Sequence, residues 1–481
     1  MSTNLERIKQ FFGYQDLTRS VRPLVAMLLF AIPLIITTFL SNGMTLINSL
    51  VLKETVGGDS VTAINQTNAL SALILQFGYG CTSGFGIVVA NFHGAKDIEK
   101  TKKAIVSSII FCFAIWLVIA PLGIIFLKVM LHALNVDELY FDRAYNYFLI
   151  ILIFYIFSLL SNLSGHILRA LGNSFTVLVS SILTSLNHIG FVYLLTAKYL
   201  GNLDTRGAAI ATIITSILNL SICFYFVFRK YKIGKESFKF DKSIYKDLAK
   251  LGVPLGFQWS VLYIGSFVLA RQVNSFGIYA SKGMAIYSSW ETLAINSIMG
   301  AIGTTVVNFT GQNYGAKKYM RVKKGIIDGY ILVAIIYSVM LVALLPTVKL
   351  VPYIYLPKDE INERVIFYST TYLYITISAA VFQGIINVSR GALQGIKRPL
   401  FPFISGLGEL AGRIGVSLLV PFIIDANYKT TLSDKSYVGL SFSNATAWFL
   451  SALIMGIAVL ILILRNKKFQ SDEVEEIKKD I

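Results

Sequence analysis

Residues 94–103 read GAKDIEKTKK and residues 315–324 read GAKKYMRVKK, so one basic segment occurs twice, 221 positions apart. The same separation relates further pairs: Pro33-Leu34 with Pro254-Leu255, and Arg169 with Arg390. A tripeptide repeated by chance would not keep one offset across distant segments. The sequence therefore predicts two copies of one structural unit.

The composition excludes an ordinary soluble protein. Of 481 residues, 55% are hydrophobic and 14% are charged, whereas soluble domains carry about 25% charged residues. The mean hydropathy is +0.66. A net charge of +17 would indicate nucleic-acid binding in a soluble chain. Here the apolar excess indicates a membrane protein with basic loops, and we expect no nucleic-acid partner.

Apolar runs long enough to cross a bilayer, about 20 residues each, occur twelve times. They cover residues 24–50, 62–90, 104–127, 142–163, 174–197, 207–228, 253–273, 284–308, 325–346, 366–388, 399–424 and 441–464. The predicted fold class is all-α integral membrane, with twelve transmembrane helices in two pseudo-symmetric six-helix bundles. Because twelve is even, both termini lie on one side of the membrane.

The distribution of basic residues predicts the orientation. The terminal segments and even-numbered connections carry 30 Lys and Arg, against 12 in or bordering the odd-numbered connections. Short cytoplasmic loops are enriched in Lys and Arg. We therefore expect a multi-pass protein of the cell membrane with both termini cytoplasmic. The predicted domains are an amphipathic N-terminal segment 1–23, a lobe 24–228, a basic linker 229–252, a lobe 253–464 and a tail 465–481.

The sequence offers no motif for metal, redox or nucleotide chemistry. Cys81, Cys112 and Cys223 lie in apolar runs at spacings of neither zinc nor redox motifs. No G-x4-G-K-[ST] phosphate loop occurs, and the four histidines show no catalytic spacing. We expect no cofactor and no enzymatic activity, so any transport must be driven by an ion gradient.

Several segments together resemble the multidrug and toxic compound extrusion (MATE) transporters. The stretch 307–317, VNFTGQNYGAK, is similar to the loop after span 8 in that family. Further similar segments are LRALG at 168–172, GAAIAT at 207–212 and GALQG at 391–395. The resemblance runs in register over nearly the whole chain.

The resemblance implies two six-helix lobes around a V-shaped cleft and transport by alternating access. It also implies export of amphipathic, often cationic, small molecules in exchange for protons or sodium ions. We expect a monomer whose partners are that small-molecule substrate and membrane lipid.

The sequence departs from the family where the family carries acids. An Asp common about fifteen residues after the span 1 proline is replaced by Asn48, and one common in span 5 by Phe191. The acids of the sodium-coupled branch fall near Leu262 and on Gln383. The apolar interiors of the N-terminal lobe's spans contain no Asp or Glu, which makes a carboxylate-centred ion switch there doubtful.

Glu291 is one of two acids far from the ends of their spans, and it lies next to Trp290 and near Tyr287. Burial and a nearby cation shift the pKa of such a Glu in opposite directions. Acids inside a membrane are functional by default. Glu291 is therefore a candidate for coupling ion or substrate binding, and the alternative is a structural Glu that ties span 8 to a neighbour.

The other acid, Glu409, lies four residues before Arg413 in span 11. This spacing places both on one helix face and permits an ion pair. One interpretation is a structural pair that holds the C-terminal lobe together. The other is a coupling site where a proton or substrate competes with Arg413 for the carboxylate.

Polar uncharged and aromatic residues inside spans predict a substrate cavity. Amides can orient a polar ligand, and the rings offer cation–π surfaces. The alternative is interhelical hydrogen bonding, which is common for Asn and Gln in membranes. The candidates are Asn48, Gln66, Asn68, Asn187, Gln258, Trp259, Tyr287, Trp290, Gln383 and Asn387.

Pro33 and Pro254 occupy matching places in the two halves. Proline removes a backbone hydrogen bond and bends a helix, and paired interruptions point to the moving helices of transporters. Both are candidate hinges, unless they mark ordinary helix starts. Arg169 and Arg390 are placed in loops before spans 5 and 11, where they cap helices or meet lipid phosphates.

The best-supported function is secondary active export of amphipathic, cationic drugs or toxic compounds. Within the same superfamily, the alternative is a flippase for a lipid or lipid-linked precursor, which would use a cationic cleft for an anionic headgroup. A polytopic membrane enzyme, a receptor and a scaffold fit the duplicated halves less well.

Overall fold

The computed structural model of the chain describes residues 14–19, 21–134, 136–197, 201–355 and 361–470. Within these ranges it leaves out the side chains of Thr45, Leu46, Ser49, Gly58, Asp59, Asn65, Asn68 and Ala69. The side chain of the predicted cavity residue Asn68 therefore lies outside the description. So do most of the predicted N-terminal segment 1–23 and the tail beyond residue 470.

Helices make up nearly all of the described first half. In chain order they are α1 (Pro23–Val56), α2 (Gly58–Gln66), α3 (Asn68–Gly94), α4 (Ile98–Ala133), α5 (Glu138–Ile153), α6 (Tyr155–Ala170), α7 (Ser174–Thr196) and α8 (Asp204–Lys230). A short 3₁₀ turn, Lys235–Phe238, then leads out of α8.

The second half repeats this plan with more interruptions. Its α-helices are α9 (Lys242–Asn274), α10 (Ile278–Trp290), α11 (Ser297–Gly315), α12 (Tyr319–Leu344), α13 (Val351–Tyr355), α14 (Glu363–Gly395), α15 (Leu400–Ile424), α16 (Tyr428–Thr431), α17 (Asp434–Ser441) and α18 (Ser443–Val459). Two π-helical segments, Glu291–Asn296 and Leu460–Leu464, continue α10 and α18.

The helices confirm the predicted fold class. Eleven described segments are long and apolar enough to cross a membrane, and α5 with α6 makes a twelfth if the pair is one span. That pair is bent by 55° at Phe154, where no proline lies. Instead, the indole of Trp116 on α4 donates to the carbonyl of Ile153 at 3.0 Å, and such an intruding donor is a recognised cause of a helix bend.

The chain folds into two compact units. Unit 1 comprises residues up to 19 and 29–260, and unit 2 comprises residues 20–28 and 261 onward. The boundaries between the two units therefore lie inside α1, before Leu29, and inside α9, after Ser260. These two helices are the ones that carry the matching prolines.

Pro33 and Pro254 lie inside α1 and α9 and not at helix starts. A proline has no N–H to give to the carbonyl four residues earlier, which for Pro33 is the carbonyl of Leu29. The side-chain amide of Gln15 donates to that carbonyl at 3.4 Å. The chain thus supplies from outside the helix the hydrogen bond that Pro33 removes.

Residues 14–19 form a strap that is fastened to unit 1. The Tyr14 hydroxyl donates to the carbonyl of Phe226 at 2.7 Å, and the Gln15 N–H donates to the carbonyl of Gly172 at 2.8 Å. Leu17 and Thr18 are buried. Burial raises the pKa of Asp16, but hydrogen bonds from Thr18 and nearby cations lower it more, so the strap keeps its negative charge.

The backbone shows the repeat, with a slip of one helical turn between the two copies. Lys96 and Lys317 end α3 and α11 in the left-handed region, at φ 59° and 60°. Left-handed residues also follow α6 and α14, at Gly172 and Lys397. Gly172 is three residues after Arg169, whereas Lys397 is seven after Arg390, so Arg390 lies one helical turn farther from its helix end. Both arginines are inside helices, which makes their predicted loop positions wrong.

Replacing Gly172 by Ala should loosen the strap and destabilise unit 1. A Cβ at this position would lie 1.9 Å from the Gln15 carbonyl oxygen, and φ is +86°. The left-handed backbone alone costs about 1–2 kcal/mol. We expect a lower Tm in detergent and faster labelling of a cysteine introduced at residue 15. Gly190→Ala, where no atom lies within 4 Å of the new Cβ, is the matched control. An unchanged Tm for both variants would contradict this role of Gly172.

Candidate coupling site

A π-helical segment interrupts the eighth span at Glu291–Asn296. A π-turn inserts one residue into an α-helix and is found frequently at functional sites. It also changes which side chains meet, because residues five apart now share a face. Glu291 and Asn296 are five apart, and the Asn296 amide donates to the Glu291 carboxylate at 3.5 Å.

The second donor to Glu291 is the hydroxyl of Tyr287, one turn earlier on α10. No Lys or Arg side chain in the described part of the chain lies within ion-pair distance of Glu291. Glu291 is therefore a membrane-embedded carboxylate held by a phenol and an amide.

Tyr287 connects this carboxylate to two further helices. The Asn444 amide on α18 donates to the Tyr287 hydroxyl at 2.5 Å. The ring of Tyr372 on α14 packs on that of Tyr287 at 4.2 Å between centroids. The Tyr372 hydroxyl and the Asn444 carbonyl oxygen are buried without a hydrogen-bond partner. Two further buried oxygen atoms of this cluster are thus unsatisfied.

Gln383 links the π-helical segment to α14. Its side-chain amide nitrogen donates to the side-chain oxygen Oδ1 of Asn296 at 2.9 Å. The Asn387 side-chain amide donates to the Gln383 backbone carbonyl at 2.9 Å. Gln383 stands where the resemblance places an Asp. It takes part in the same network, but through an amide that cannot carry charge.

Glu409 has a different environment, because it lies between two arginines. The Arg413 guanidinium donates to one carboxylate oxygen at 3.0 Å, and Arg390 lies 3.9 Å from the other. Arg413 also donates to the Ser266 hydroxyl at 3.2 Å and to the Leu262 carbonyl at 3.3 Å on α9. These contacts join α9, α14 and α15 in the interior of unit 2.

The polar candidates of unit 1 do not form one network. Gln258 is 1% exposed, and neither of its amide atoms has a hydrogen-bond partner. The ring of Trp259, beside it, packs edge-on against Tyr79 at 5.3 Å. Asn48 and Gln66 each bury an oxygen without a partner. Unsatisfied buried amides of this kind are costly in a membrane, which makes Gln258 the clearest cavity candidate in unit 1.

One candidate shows little sign of a site. Asn187 is exposed, and its amide donates to the Leu183 carbonyl of its own helix at 2.7 Å. Trp290 lies beside Glu291, and its indole N–H, like the amide of Gln258, is buried without a partner.

The structure adds site residues that sequence reasoning missed. Asn296 could not be predicted from helical spacing, because a regular helix would bring residue 295, and not residue 296, next to Glu291. Tyr372 and Asn444 are contacts across helices and carry no local signal. Arg390 has such a signal, because it lies 221 positions after Arg169, but only its depth in α14 brings it to Glu409.

Comparison with known proteins decides the family. The MatE family model matches residues 33–194 and 254–411, one match in each half of the chain. This chain belongs to the MatE family. The predicted resemblance is thereby confirmed, and the chain is a multi-pass membrane transporter of this family.

Curated MatE relatives cover most of the chain at modest identity. The chain is 25% identical over 409 residues to "Probable multidrug resistance protein YoeA" of Bacillus subtilis, covering 83% of this chain and 86% of YoeA. It is 23% identical over 308 residues to "Probable multidrug resistance protein YpnP" of the same organism, covering 62% of this chain and 66% of YpnP.

Solved MatE-like structures share the fold. A MOP superfamily transporter from Pyrococcus furiosus, described as having a binding pocket of reverse polarity that suggests a different function, aligns at a TM-score of 0.80. It is 17% identical, covering 94% of this chain and 97% of that one. An outward-facing multidrug resistance MATE family transporter aligns at 0.80 with 16% identity, covering 96% and 98%.

Neutralising the two acids of unit 2 should have unequal effects on stability. Glu409→Gln leaves Arg390 and Arg413 buried without their carboxylate, and breaking a buried pair in this way costs about 3–5 kcal/mol. Glu291→Gln keeps an acceptor for Tyr287 and leaves no cation unpaired, so we expect a loss of less than about 1 kcal/mol. Tm in detergent checks both variants. Equal loss in both, or a stable Glu409→Gln variant, would contradict a structural role for Glu409.

Proposed function

We propose that this transporter exports amphipathic, cationic organic compounds by alternating access, in exchange for a proton or sodium ion that binds at Glu291. The observation that carries the proposal is the environment of Glu291. It is a carboxylate inside a membrane span without a Lys or Arg partner in the described part of the chain.

A coupling acid must gain and lose a cation at low cost. Glu409 would have to give up its contacts with Arg413 and Arg390 before it could accept a proton. Glu291 gives up only hydrogen bonds from Tyr287 and Asn296, which a protonated or sodium-bound carboxylate can rearrange. The structure therefore favours Glu291 over Glu409 as the coupling residue of the two predicted candidates.

Binding at Glu291 would act on several helices together. Asn296 and Gln383 connect it to α14, and Tyr287 and Asn444 connect it to α18. A cation that takes over one carboxylate oxygen displaces a donor and changes this chain of hydrogen bonds. The coupling ion and a cationic substrate would compete for the same charge, which is the requirement for exchange.

Aromatic side chains near Glu291 suit a lipophilic cation. Trp290 precedes Glu291 in the chain, the Tyr287 hydroxyl donates to the Glu291 carboxylate, and the ring of Tyr372 packs on that of Tyr287. A cation over such a ring gains about 0.5–2 kcal/mol, more when water is excluded. This supports a cationic rather than a neutral substrate.

The alternative, a flippase for a lipid with an anionic headgroup, has one specific observation in its favour. Arg169 in unit 1 lies near the end of α6, and its one hydrogen bond in the described structure is to His166. A guanidinium without a carboxylate is the group that an anionic headgroup would seek.

Transport by proteoliposomes tests the proposal. We expect an imposed proton or sodium gradient to drive uphill movement of ethidium by the wild type. Glu291→Gln should lower the driven rate at least about tenfold, which corresponds to about 1.4 kcal/mol, because its side chain cannot exchange a cation. Imposing the two gradients separately identifies the coupling ion.

Glu363→Gln is the matched control, since Glu363 is an exposed acid in the first turn of α14. Its driven rate should equal that of the wild type. If Glu291→Gln still transports uphill at the wild-type rate, Glu291 is not the coupling site. If neither gradient drives ethidium, the flippase alternative gains and headgroup translocation becomes the assay.

A further inference from the structure

Arg169 is a partly buried cation without a carboxylate counter-ion among the described residues of unit 1. Its Nη2 atom lies 3.2 Å from Nδ1 of His166, one turn earlier on α6, and its Nε atom is buried without a partner. The groups near enough to influence its charge are the hydroxyl of Tyr79 and the thiol of Cys223. No carboxylate of the described residues forms an ion pair with it.

The second copy of the unit shows what is missing. Arg390, the counterpart of Arg169 in the repeat, faces Glu409 on α15. The matching helix of unit 1 is α7, and the residue 221 positions before Glu409 is His188. Allowing for the one-turn slip between the copies, the matching residue is Thr184. Neither alignment provides a carboxylate.

Two ordinary roles for Arg169 do not account for its contacts. An arginine in the last turn of a helix can cap the free carbonyl groups, but the guanidinium of Arg169 contacts a side chain instead. An arginine can also extend into water, but Arg169 is no more than partly exposed. Arg169 is thus partly withdrawn from water and has no carboxylate partner among the described residues, which is unfavourable for a charge.

The surroundings of Arg169 provide polar and aromatic walls. His166 is 8% exposed, and its Nε2 atom is buried without a partner. Its ring packs edge-on against Tyr79 at 5.0 Å. On the neighbouring helices, Asn219 on α8 donates to the Ser161 hydroxyl at 2.7 Å and accepts from Ser180 at 2.6 Å. These neutral polar side chains lie on α6, α7 and α8, and Arg169 lies on the same α6 as Ser161.

We propose that Arg169 and His166 form a binding site for a phosphate group in unit 1. A guanidinium offers N–H groups in a planar fork that matches two oxygens of a phosphate, and such charge-assisted bonds are roughly twice as strong as neutral ones. The inference goes beyond the proposed function, because it concerns a different unit and requires neither transport nor Glu291. The phosphate belongs to a lipid headgroup or to a soluble phosphate ester.

Titration calorimetry on the detergent-purified full chain tests the site. The probes are dioctanoyl phosphatidate, dioctanoylglycerol as its phosphate-free analogue, and glycerol 3-phosphate as the soluble phosphate. The wild type should bind phosphatidate at least tenfold more tightly than dioctanoylglycerol. Arg169→Gln should weaken phosphatidate binding tenfold to a hundredfold, as expected for lost hydrogen bonds to a charged group.

The lipid and soluble probes distinguish the source of the phosphate. Binding of phosphatidate without binding of glycerol 3-phosphate assigns the site to a lipid headgroup. Similar affinities for both, lost together in Arg169→Gln, assign it to a soluble phosphate ester. If the wild type does not distinguish phosphatidate from dioctanoylglycerol, the proposal is overturned.

Further variants separate the site from general charge effects and from misfolding. Arg271→Gln removes an exposed arginine and should leave binding unchanged; equal weakening would mean non-specific surface attraction and overturn the proposal. Arg169→Lys, a milder change, should weaken binding by a smaller factor because Lys keeps the charge but loses the fork. A folded Arg169→Gln variant that binds as the wild type does would also overturn it. Glu291→Gln should bind phosphatidate as the wild type does. The phosphate site and the coupling role of Glu291 can therefore fail separately.

Discussion

Water does not enter the hydrocarbon core of a bilayer, so each charge that this chain places inside a helix bundle needs a partner there. Glu409 meets the requirement with Arg413 and Arg390, and the contacts of Arg413 extend it to α9. Three helices of unit 2 are joined by this cluster. The placement of the remaining polar groups of the unit follows from it, because Glu409 has already taken both arginines and Glu291 must be held by neutral donors.

The difference between the two acids is therefore one of availability. Glu409 and its two arginines form a group of net charge +1, which a proton on the carboxylate would raise to +2, so proton binding at Glu409 is unfavourable. The Glu291 carboxylate is held by hydrogen bonds from Tyr287 and Asn296, and a small cation can replace these. The π-turn matters here because it turns Asn296 toward Glu291. Within a regular helix, Asn296 would lie about 140° around the axis from Glu291 and could not reach it.

The sequence was sufficient for the fold and insufficient for the site. Apolar length, the basic loops and the 221-residue repeat are properties of long segments, so an error of a few residues in a segment's bounds does not change what they predict. They predicted the helical membrane fold that the structure confirms. The pairing of Glu409 with Arg413 follows from their spacing of four. The contacts of Tyr372, Asn444 and Gln383 depend on which helices are neighbours, which no local pattern records. The slip that places Arg390 one turn deeper than Arg169 is invisible at a constant sequence offset.

That slip explains how two copies of one unit come to differ in charge. Arg390 lies two turns from the left-handed residue that ends α14, deep enough to reach Glu409 on the next helix. Arg169 lies one turn from the left-handed residue that follows α6, where its neighbours are His166 and Tyr79, and α7 offers no acid at the matching position. One copy has therefore balanced its arginine internally, while its open group is the acid Glu291. The other copy has no Asp or Glu in the apolar interiors of its spans, and its arginine has no carboxylate partner among the described residues. The two units therefore differ in the sign of the charge that they offer to a ligand: negative at Glu291 in unit 2 and positive at Arg169 in unit 1.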